Sequence, residues 1–340
     1  MIKKKRFIIL ISFLLLSSLV FYLLNPYDTK HLLQSTPFWV EKDSNHHLSL
    51  ERYLAKYHTD ESAYLAASQY VSSNDLKKKY LNIALEKKTN LSLVYEVTIL
   101  SHPGLSKKER NDFIDEWISK EPKNPTARLF KLTQYLNDKN FEKAYQESQK
   151  VIFKDISFNK KSIYKHLISI HQQLGATHLR SKIVAYGIIL SLQTRHTTPW
   201  TNSIDSLREN KTTKDPLEKE KKLSMIFTYA KALNKRQTLI DKMIANALEI
   251  QYWQQSLKNN KKLGKTIKPR IAQLRQKDKC FDLLQKSFNS DYTKSLSRSE
   301  LEDSIDKSIF FGEYKAILSF KKIKKILLKE KCFMDEFDKS

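Results

Sequence analysis

The chain has 340 residues, enough for one large or two moderate domains, and its 40% hydrophobic content is sufficient for a packed core. Only five glycines and eight prolines are present. This composition favours an almost entirely helical protein. No series of alternating strand-type segments is present, which disfavours a β-sandwich or barrel.

The formal net charge of +24 suggests a polyanionic partner. Lysines, however, outnumber arginines by 50 to 11. Arginine makes the forked contacts to guanine and phosphate, so its scarcity disfavours nucleic acid as the partner. Acidic lipid headgroups and an acidic partner protein remain as alternatives to a plainly solvated lysine-rich surface.

The first element is an uncharged apolar run from Phe7 to Leu24, preceded by the cations of residues 3–6. A helix of this length spans about 27 Å, close to the thickness of a bilayer core of about 30 Å. We therefore expect residues 1–24 to form a cytoplasmic tip and a single transmembrane signal anchor. The preceding cations place the N-terminus in the cytoplasm and the main domain outside the inner membrane. A cleaved signal peptide is the alternative, although bulky residues at 20–24 stand where cleavage needs small ones.

Residues 25–50 are polar and interrupted by Pro37, which is typical of a stem. Residues 51–196 are predicted to form helical hairpins that start near positions 57, 90, 125 and 159. In the clearest unit, Asn124 caps a first helix that Pro125 opens, and a polar turn at 137–140 leads into a second helix.

Within this unit, Tyr135, Phe141 and Ala144 stand where the tetratricopeptide repeat places a tyrosine, an aromatic residue and a small residue. Residues 121–152 therefore resemble that repeat, which is a helix–turn–helix unit of about 34 residues. The resemblance implies an α-solenoid of stacked antiparallel hairpins whose concave surface binds peptides or proteins.

The unit departs from the repeat pattern at Arg128, where the repeat has tryptophan, and at Leu132, where it has a small residue. An irregular bundle of helical hairpins is the alternative architecture. It would show a similar spacing of helices without equivalent repeats.

Residues 197–214 are polar and poorly periodic, and we expect a linker there. Asp215-Pro216 is a strong helix start, followed by a helix predicted to reach Leu257. One face of that helix is apolar: Leu223, Phe227, Ala230, Leu233, Ile240, Met243, Ala247 and Ile250. Further helices are predicted near 268–288, 298–310 and 312–331, which makes residues 215–340 a basic C-terminal helical domain.

This domain carries the candidate contacts to a membrane or polyanion. They are Lys258, Lys261, Lys262, Lys265, Lys268, Arg270, Lys321, Lys322, Lys324 and Lys325. The last four flank an apolar stripe formed by Ile317, Phe320, Ile323 and Leu327, a pattern suited to an anionic membrane surface. The favoured alternative is a closing helix that buries its stripe on the domain and leaves its lysines in water.

Cys280 and Cys332 are too far apart in sequence to form a metal-type pair. In an oxidising compartment they could form a disulfide that clamps the last helices, and in a reducing one they would be buried thiols.

Motifs of catalysis are missing from the sequence, including HExxH, GxSxG and a glycine-rich phosphate loop. His46, His47 and His58 lie near Asp43 and Glu51, but a polar stem explains them as well as a metal site does. We expect neither enzymatic activity, nor a cofactor, nor a bound metal.

Together these features predict a membrane-anchored helical-repeat protein that acts as a protein-binding scaffold or assembly factor at the cell envelope. The alternative is an envelope-facing protein that binds polyanions or anionic membranes through its basic C-terminal helices.

Overall fold

A computed structural model describes residues 44–87, 89–152, 161–209, 215–236, 238–287 and 296–332. These residues form fifteen α-helices, one short 3-10 turn and no β-strand, which confirms the all-α fold class. The helices are α1 Ser44–Lys56, α2 Glu61–Tyr70, α3 Asn74–Lys87, α4 Leu91–Ser101, α5 Lys107–Lys120, α6 Pro125–Asn137, α7 Phe141–Gln149, α8 Lys161–Gln173, α9 His178–Glu209, α10 Pro216–Lys235, α11 Leu239–Asn259, α12 Gly264–Ser287, α13 Arg298–Phe311, α14 Glu313–Ser319 and α15 Lys321–Lys329. The 3-10 turn Lys261–Leu263 precedes α12.

The predicted anchor, Phe7–Leu24, and the predicted stem as far as residue 43 lie outside the described residues. Among the helices of the described part, none combines the length and the apolarity needed to cross a membrane.

The stem prediction is wrong over residues 44–50, which belong to α1. The reason is burial, because Leu50, Tyr53 and Leu54 pack into the hydrophobic core near the start of the domain. This apolar spacing of three and four residues is helical, and it begins inside the polar segment.

Side-chain caps define several helix starts where the sequence predicts them. Ser106 and Glu109 form a reciprocal capping box at α5. Asn124 caps α6 and Asp215 caps α10, each followed by a proline at the first helical position.

The helices from α2 to α7 pack in chain order, each against the next, as a series of helical pairs. The series does not continue into α8. Instead α10 packs on α7, followed by α11 on α10 and α12 on α11.

Helices α8 and α9 lie against the first helices of these pairs. Helix α8 packs on α2, whereas α9 packs on α4, α6 and α10. Helix α13 then covers α8 and α9. The long helix α9 therefore packs along the first helices of the series with one face, while its other face is exposed at Ser191, Arg195, Asn202 and Asp205.

Trp200 of α9 lies in a row of buried aromatic side chains that crosses the molecule. Its ring centroid is 6.5 Å from that of Phe130 in α6 and 6.4 Å from that of Tyr229 in α10. Trp117 continues the row beyond Phe130, and Tyr95 stacks on Trp117 at 6.0 Å. The row joins helices from both halves of the chain in one core.

The predicted linker at 197–214 is wrong as far as residue 209, because α9 continues through it. Trp200, Ile204 and Leu207 are buried at helical spacing, and they pack with residues of α6 and α10. Their burial outweighs the weak helix propensity of the threonines and the backbone hydrogen bond lost at Pro199. The boundary expected between residues 196 and 215 is thus crossed by a continuous helix, and residues 210–214 lie outside the description.

The helix predicted from 215 to 257 is also corrected, since it is two helices separated at Arg236–Thr238. Thr238 caps α11 by accepting the Asp241 amide. Arg236 donates to Asp241 across the bend at 2.8 Å, and both side chains are buried. A buried ion pair with a local cap stabilises the turn here.

Cys280 and Cys332 are joined in a disulfide that connects α12 to the third residue beyond the end of α15, with Cα atoms 5.6 Å apart. Both residues are buried in a cluster with Phe281, Ile323 and Leu327. The bond therefore closes the packing of the last helices.

Replacing Cys280 and Cys332 together by alanine is expected to lower the free energy of unfolding by about 4 kcal/mol. The bridge closes a loop of 52 residues, and this loop's closure entropy is removed from the unfolded chain. Urea unfolding of the full chain in detergent, compared with the double variant, measures the difference. Equal midpoints with and without the cysteines would contradict a stabilising bridge.

Burial of His171 in α8 makes stability depend on pH. Desolvation, with a smaller effect of the nearby Arg180 cation, lowers the pKa of His171 from 6.5 to about 4. Between these values the unfolded chain binds a proton that the folded chain does not. Stability contributed by neutral His171 is therefore present above pH 6.5 and lost as the pH falls towards 4.

We expect this linkage to reach about 3 kcal/mol at pH 4. His171→Phe keeps a ring beside Tyr70 but removes the titration. Urea unfolding at a series of pH values should show the stability of the natural chain falling relative to that of the variant below pH 6.5. Parallel pH profiles would show that His171 does not titrate in this way.

Candidate binding surface of helices α10 to α12

The corner between α11 and α12 presents five exposed lysines around one exposed leucine. We call this group the basic turn, defined as Lys258, Lys261, Lys262, Lys265 and Lys268 with Leu263. Leu263 has 46% of its surface exposed. The basic turn is thus a positively charged surface with an apolar centre.

Local hydrogen bonds fix the backbone of the basic turn. Asn260 ends α11 and accepts the Lys262 amide at 3.1 Å. Gly264 begins α12 and donates its amide to the Lys261 carbonyl. No acidic residue occurs from 251 to 277, so the charge of the turn is not balanced by its own sequence neighbours.

Arg270 differs from the lysines of the basic turn because it is engaged within the fold. Its guanidinium donates to Glu249 of α11 at 3.2 Å and to Gln273 at 2.8 Å. Arg270 therefore joins α12 to α11, and we assign it a structural role.

The final helix does not carry a free amphipathic face. Ile323 and Leu327 are buried in a cluster with Ile317 of α14 and residues of α12, and Phe320 is partly buried against it. Lys324 and Lys325 are exposed, whereas the side chains of Lys321 and Lys322 lie outside the description. The apolar stripe predicted for membrane contact is thus used inside the domain.

A second feature of this surface is a partly exposed group of aromatic rings, which we call the aromatic cluster: Phe227, Tyr252 and Trp253. Phe227 of α10 stacks on Tyr252 of α11 with ring centroids 4.2 Å apart and planes 11° apart. Trp253 meets both rings edge-on, at 5.9 and 4.9 Å. The Lys231 ammonium lies 4.5 Å from the centre of the Phe227 ring.

The aromatic cluster and the basic turn follow one another along α11. Trp253 and Leu257 are one helical turn apart, and Leu257 approaches Gly264 at the start of α12. Partly exposed aromatic rings that are packed together are typical anchors of recognition surfaces.

No family model, curated protein or solved structure matches this chain. The candidate surface is therefore assigned from its own chemistry. Aromatic rings provide rigid contact area, and the lysines provide positive charge without a fixed hydrogen-bond geometry.

The histidines considered for a metal site are not brought together as one. His58 is exposed and its Nδ1 lies 3.3 Å from the Ala55 carbonyl. The side chains of His46 and His47 lie outside the description. Over the described ranges, His, Cys, Asp and Glu form no group of three or more that could hold a metal ion.

A different histidine, His166 of α8, links three helices. It lies 2.7 Å from the Tyr53 hydroxyl and 2.9 Å from the Asp60 carboxylate. Burial is the main cause that raises the pKa of Tyr53 to about 12, which disfavours a tyrosinate nucleophile. We interpret this hydrogen-bonded series as a connection of α1 and α2 to α8.

Gly264 offers a test of the backbone conformation at the end of the basic turn. Its backbone is helical, and an added Cβ would meet only Leu257 and Lys268 side-chain atoms at 3.7 and 3.9 Å. Gly264→Ala should therefore raise the free energy of unfolding by about 0.4–1 kcal/mol, because alanine restricts the unfolded chain. Urea unfolding measures this change, and a loss of stability would contradict the helical backbone at residue 264.

Proposed function

We propose that this protein is a membrane-anchored helical scaffold that binds a protein partner at the cell envelope. In this proposal Phe7–Leu24 is the transmembrane anchor and the described helices form the extracytoplasmic domain. The aromatic cluster on the α10–α11 surface is the partner contact and is the observation that carries the proposal.

The packing of consecutive helical pairs from α2 to α7 supports a solenoid-like domain that resembles tetratricopeptide repeats. The first helices of that series are covered by one face of α9, whose Ile189, Leu192 and Trp200 are buried. A partner that bound the first helices of the pairs would have to displace these buried side chains. We therefore place the binding surface on the outside of the domain, which differs from the concave surface implied by the repeat resemblance.

The disulfide between Cys280 and Cys332 supports display outside the cytoplasm. Protein disulfides persist in oxidising compartments and are rare where thiols are kept reduced. This agrees with the orientation expected from the cations that precede Phe7.

The chemistry of the aromatic cluster favours a protein partner. Tryptophan and tyrosine side chains supply much of the binding energy at protein interfaces, particularly where water is excluded by surrounding contacts. Phe227, Tyr252 and Trp253 are already packed together, so little side-chain freedom would be lost on binding. Lys231 at the edge of the cluster would favour a partner with an acidic rim.

Photo-crosslinking in cells tests this assignment. A benzophenone amino acid replacing Tyr252 in the full chain should give one discrete adduct with a membrane-fraction protein. Adding Trp253→Ala should weaken this association at least about 30-fold, the effect of losing an interface anchor. The captured protein is then tagged, and a reciprocal pull-down that recovers this chain establishes the pair.

Tyr135 provides a matched control position, because it is also partly exposed and has a lysine, Lys131, 5.3 Å from its ring centre. The same photoreactive residue there should give no such adduct. Equal adducts at Tyr135 and Tyr252, or an adduct that is unaffected by Trp253→Ala, would overturn the assignment of the aromatic cluster. Thermal unfolding checks that the Trp253 variant is folded.

A further inference from the structure

We propose that the basic turn docks on a bilayer of anionic lipid. Leu263 would enter the headgroup region while the surrounding lysines contact lipid phosphates. The inference rests on the membrane anchor of the proposed function and concerns a different surface from the aromatic cluster. It gives the anchored domain a second, reversible point of attachment.

The apolar centre of the turn distinguishes a lipid surface from a soluble polyanion. Leu263 is 46% exposed at the middle of the lysines, where burial in the acyl boundary of a bilayer is favourable. A soluble acidic polymer would contact the lysines but give Leu263 little benefit. Lysine side chains can also keep their ammonium groups at the headgroups while their methylene stems lie against apolar surface.

The charge of the turn matches such a surface. Its five lysines are all exposed, and the segment 251–277 contains no carboxylate. Each lysine near an anionic membrane strengthens attachment by about fivefold, and the effect fades beyond the screening length of the salt. The positive end of α12 at Gly264 adds to the potential of the lysines.

The position of the basic turn and the length of the tether also permit contact with a membrane. It projects between α11 and α12, which pack against each other and fix its position. The nineteen residues from 25 to 43, between the predicted anchor and α1, can extend at most about 65 Å. This reach exceeds the radius of gyration of about 19 Å expected for a domain of this size, so the tether permits the turn to face the bilayer.

Hydrogen–deuterium exchange of the full chain in nanodiscs tests the proposal. One set of discs contains phosphatidylcholine alone, and the other an equal mixture of phosphatidylcholine and phosphatidylglycerol. We expect the amides of residues 258–268 to exchange several-fold more slowly in the anionic discs, and added salt to reverse the difference. Equal exchange in the two kinds of disc would overturn the proposal.

Charge reversal identifies the residues responsible. Lys261→Glu, Lys262→Glu and Lys265→Glu combined should abolish the lipid-dependent protection. Leu263→Ser alone should reduce it while leaving the lysines in place. Because all four side chains are exposed, both variants should unfold at the natural midpoint.

A matched triple variant carries the same change in net charge elsewhere. Lys108, Lys123 and Lys143 are exposed lysines near α5 to α7, and their replacement by glutamate should leave the protection unchanged. Equal losses in both triple variants would mean that net charge, and not the basic turn, causes the effect. If soluble polyglutamate slows exchange in residues 258–268 and anionic lipid does not, the lipid proposal is wrong and the ligand is an acidic polypeptide.

These outcomes separate the docking surface from the anchor. If the chain is retained in the discs but shows no lipid-dependent protection, the docking proposal is refuted and the anchor is not. A chain that is not retained refutes the anchor, and the free protein is then mixed with vesicles of the same two compositions. Failure to sediment with the anionic vesicles in that case refutes docking as well.

Discussion

The packing of the apolar face of α9 is the constraint on which the rest of the structure depends. This helix supplies the inner contacts of α4, α6, α8, α10 and α13, so neither half of the chain has a complete core without it. Its Trp200 lies between Phe130 and Tyr229, and the Arg236 guanidinium is 5.2 Å from the Trp200 ring centre. Large aromatic side chains dominate the energy of such cores.

The packing of α9 against the first helices of the pairs explains why other surfaces carry the functional proposals. A series of helical pairs ordinarily leaves an extended concave face for a ligand. Here one face of α9 packs against the first helices of the pairs, and the apolar stripe of α15 is likewise used to complete the last cluster. The aromatic cluster and the basic turn are among the aromatic and cationic groups of α10 to α12 that are at the surface.

Local signals in the sequence predict much of this fold. Caps and first-turn prolines place the starts of α5, α6 and α10 because these interactions involve only neighbouring residues. The course of α9 was not predicted, since its threonines and Pro199 suggest a linker when tertiary burial is ignored. Trp200, Ile204 and Leu207 were the available signal, at spacings of four and three residues.

The candidate surface was predicted only in part. The lysines of the basic turn are visible as a run without acids, but whether each is exposed depends on packing. Arg270 illustrates this, since its partner Glu249 lies on the preceding helix. The aromatic cluster was missed because Phe227 fits an apolar helix face, and its stacking on Tyr252 follows from the bend at Arg236–Thr238, which sequence periodicity did not predict.

The contacts of α13 have a consequence for how the chain acquires its structure. Asp306 of α13 accepts hydrogen bonds from Tyr164 at 3.2 Å and Lys182 at 2.7 Å, across sequence separations of 142 and 124 residues. Because synthesis starts at the N-terminus, α8 and α9 stay without the cover of α13 until more than a hundred later residues have been synthesised. Such long-range closure is slow and leaves apolar surface exposed in the meantime. Nascent chains that end before α13 should accordingly be the species that most need a chaperone.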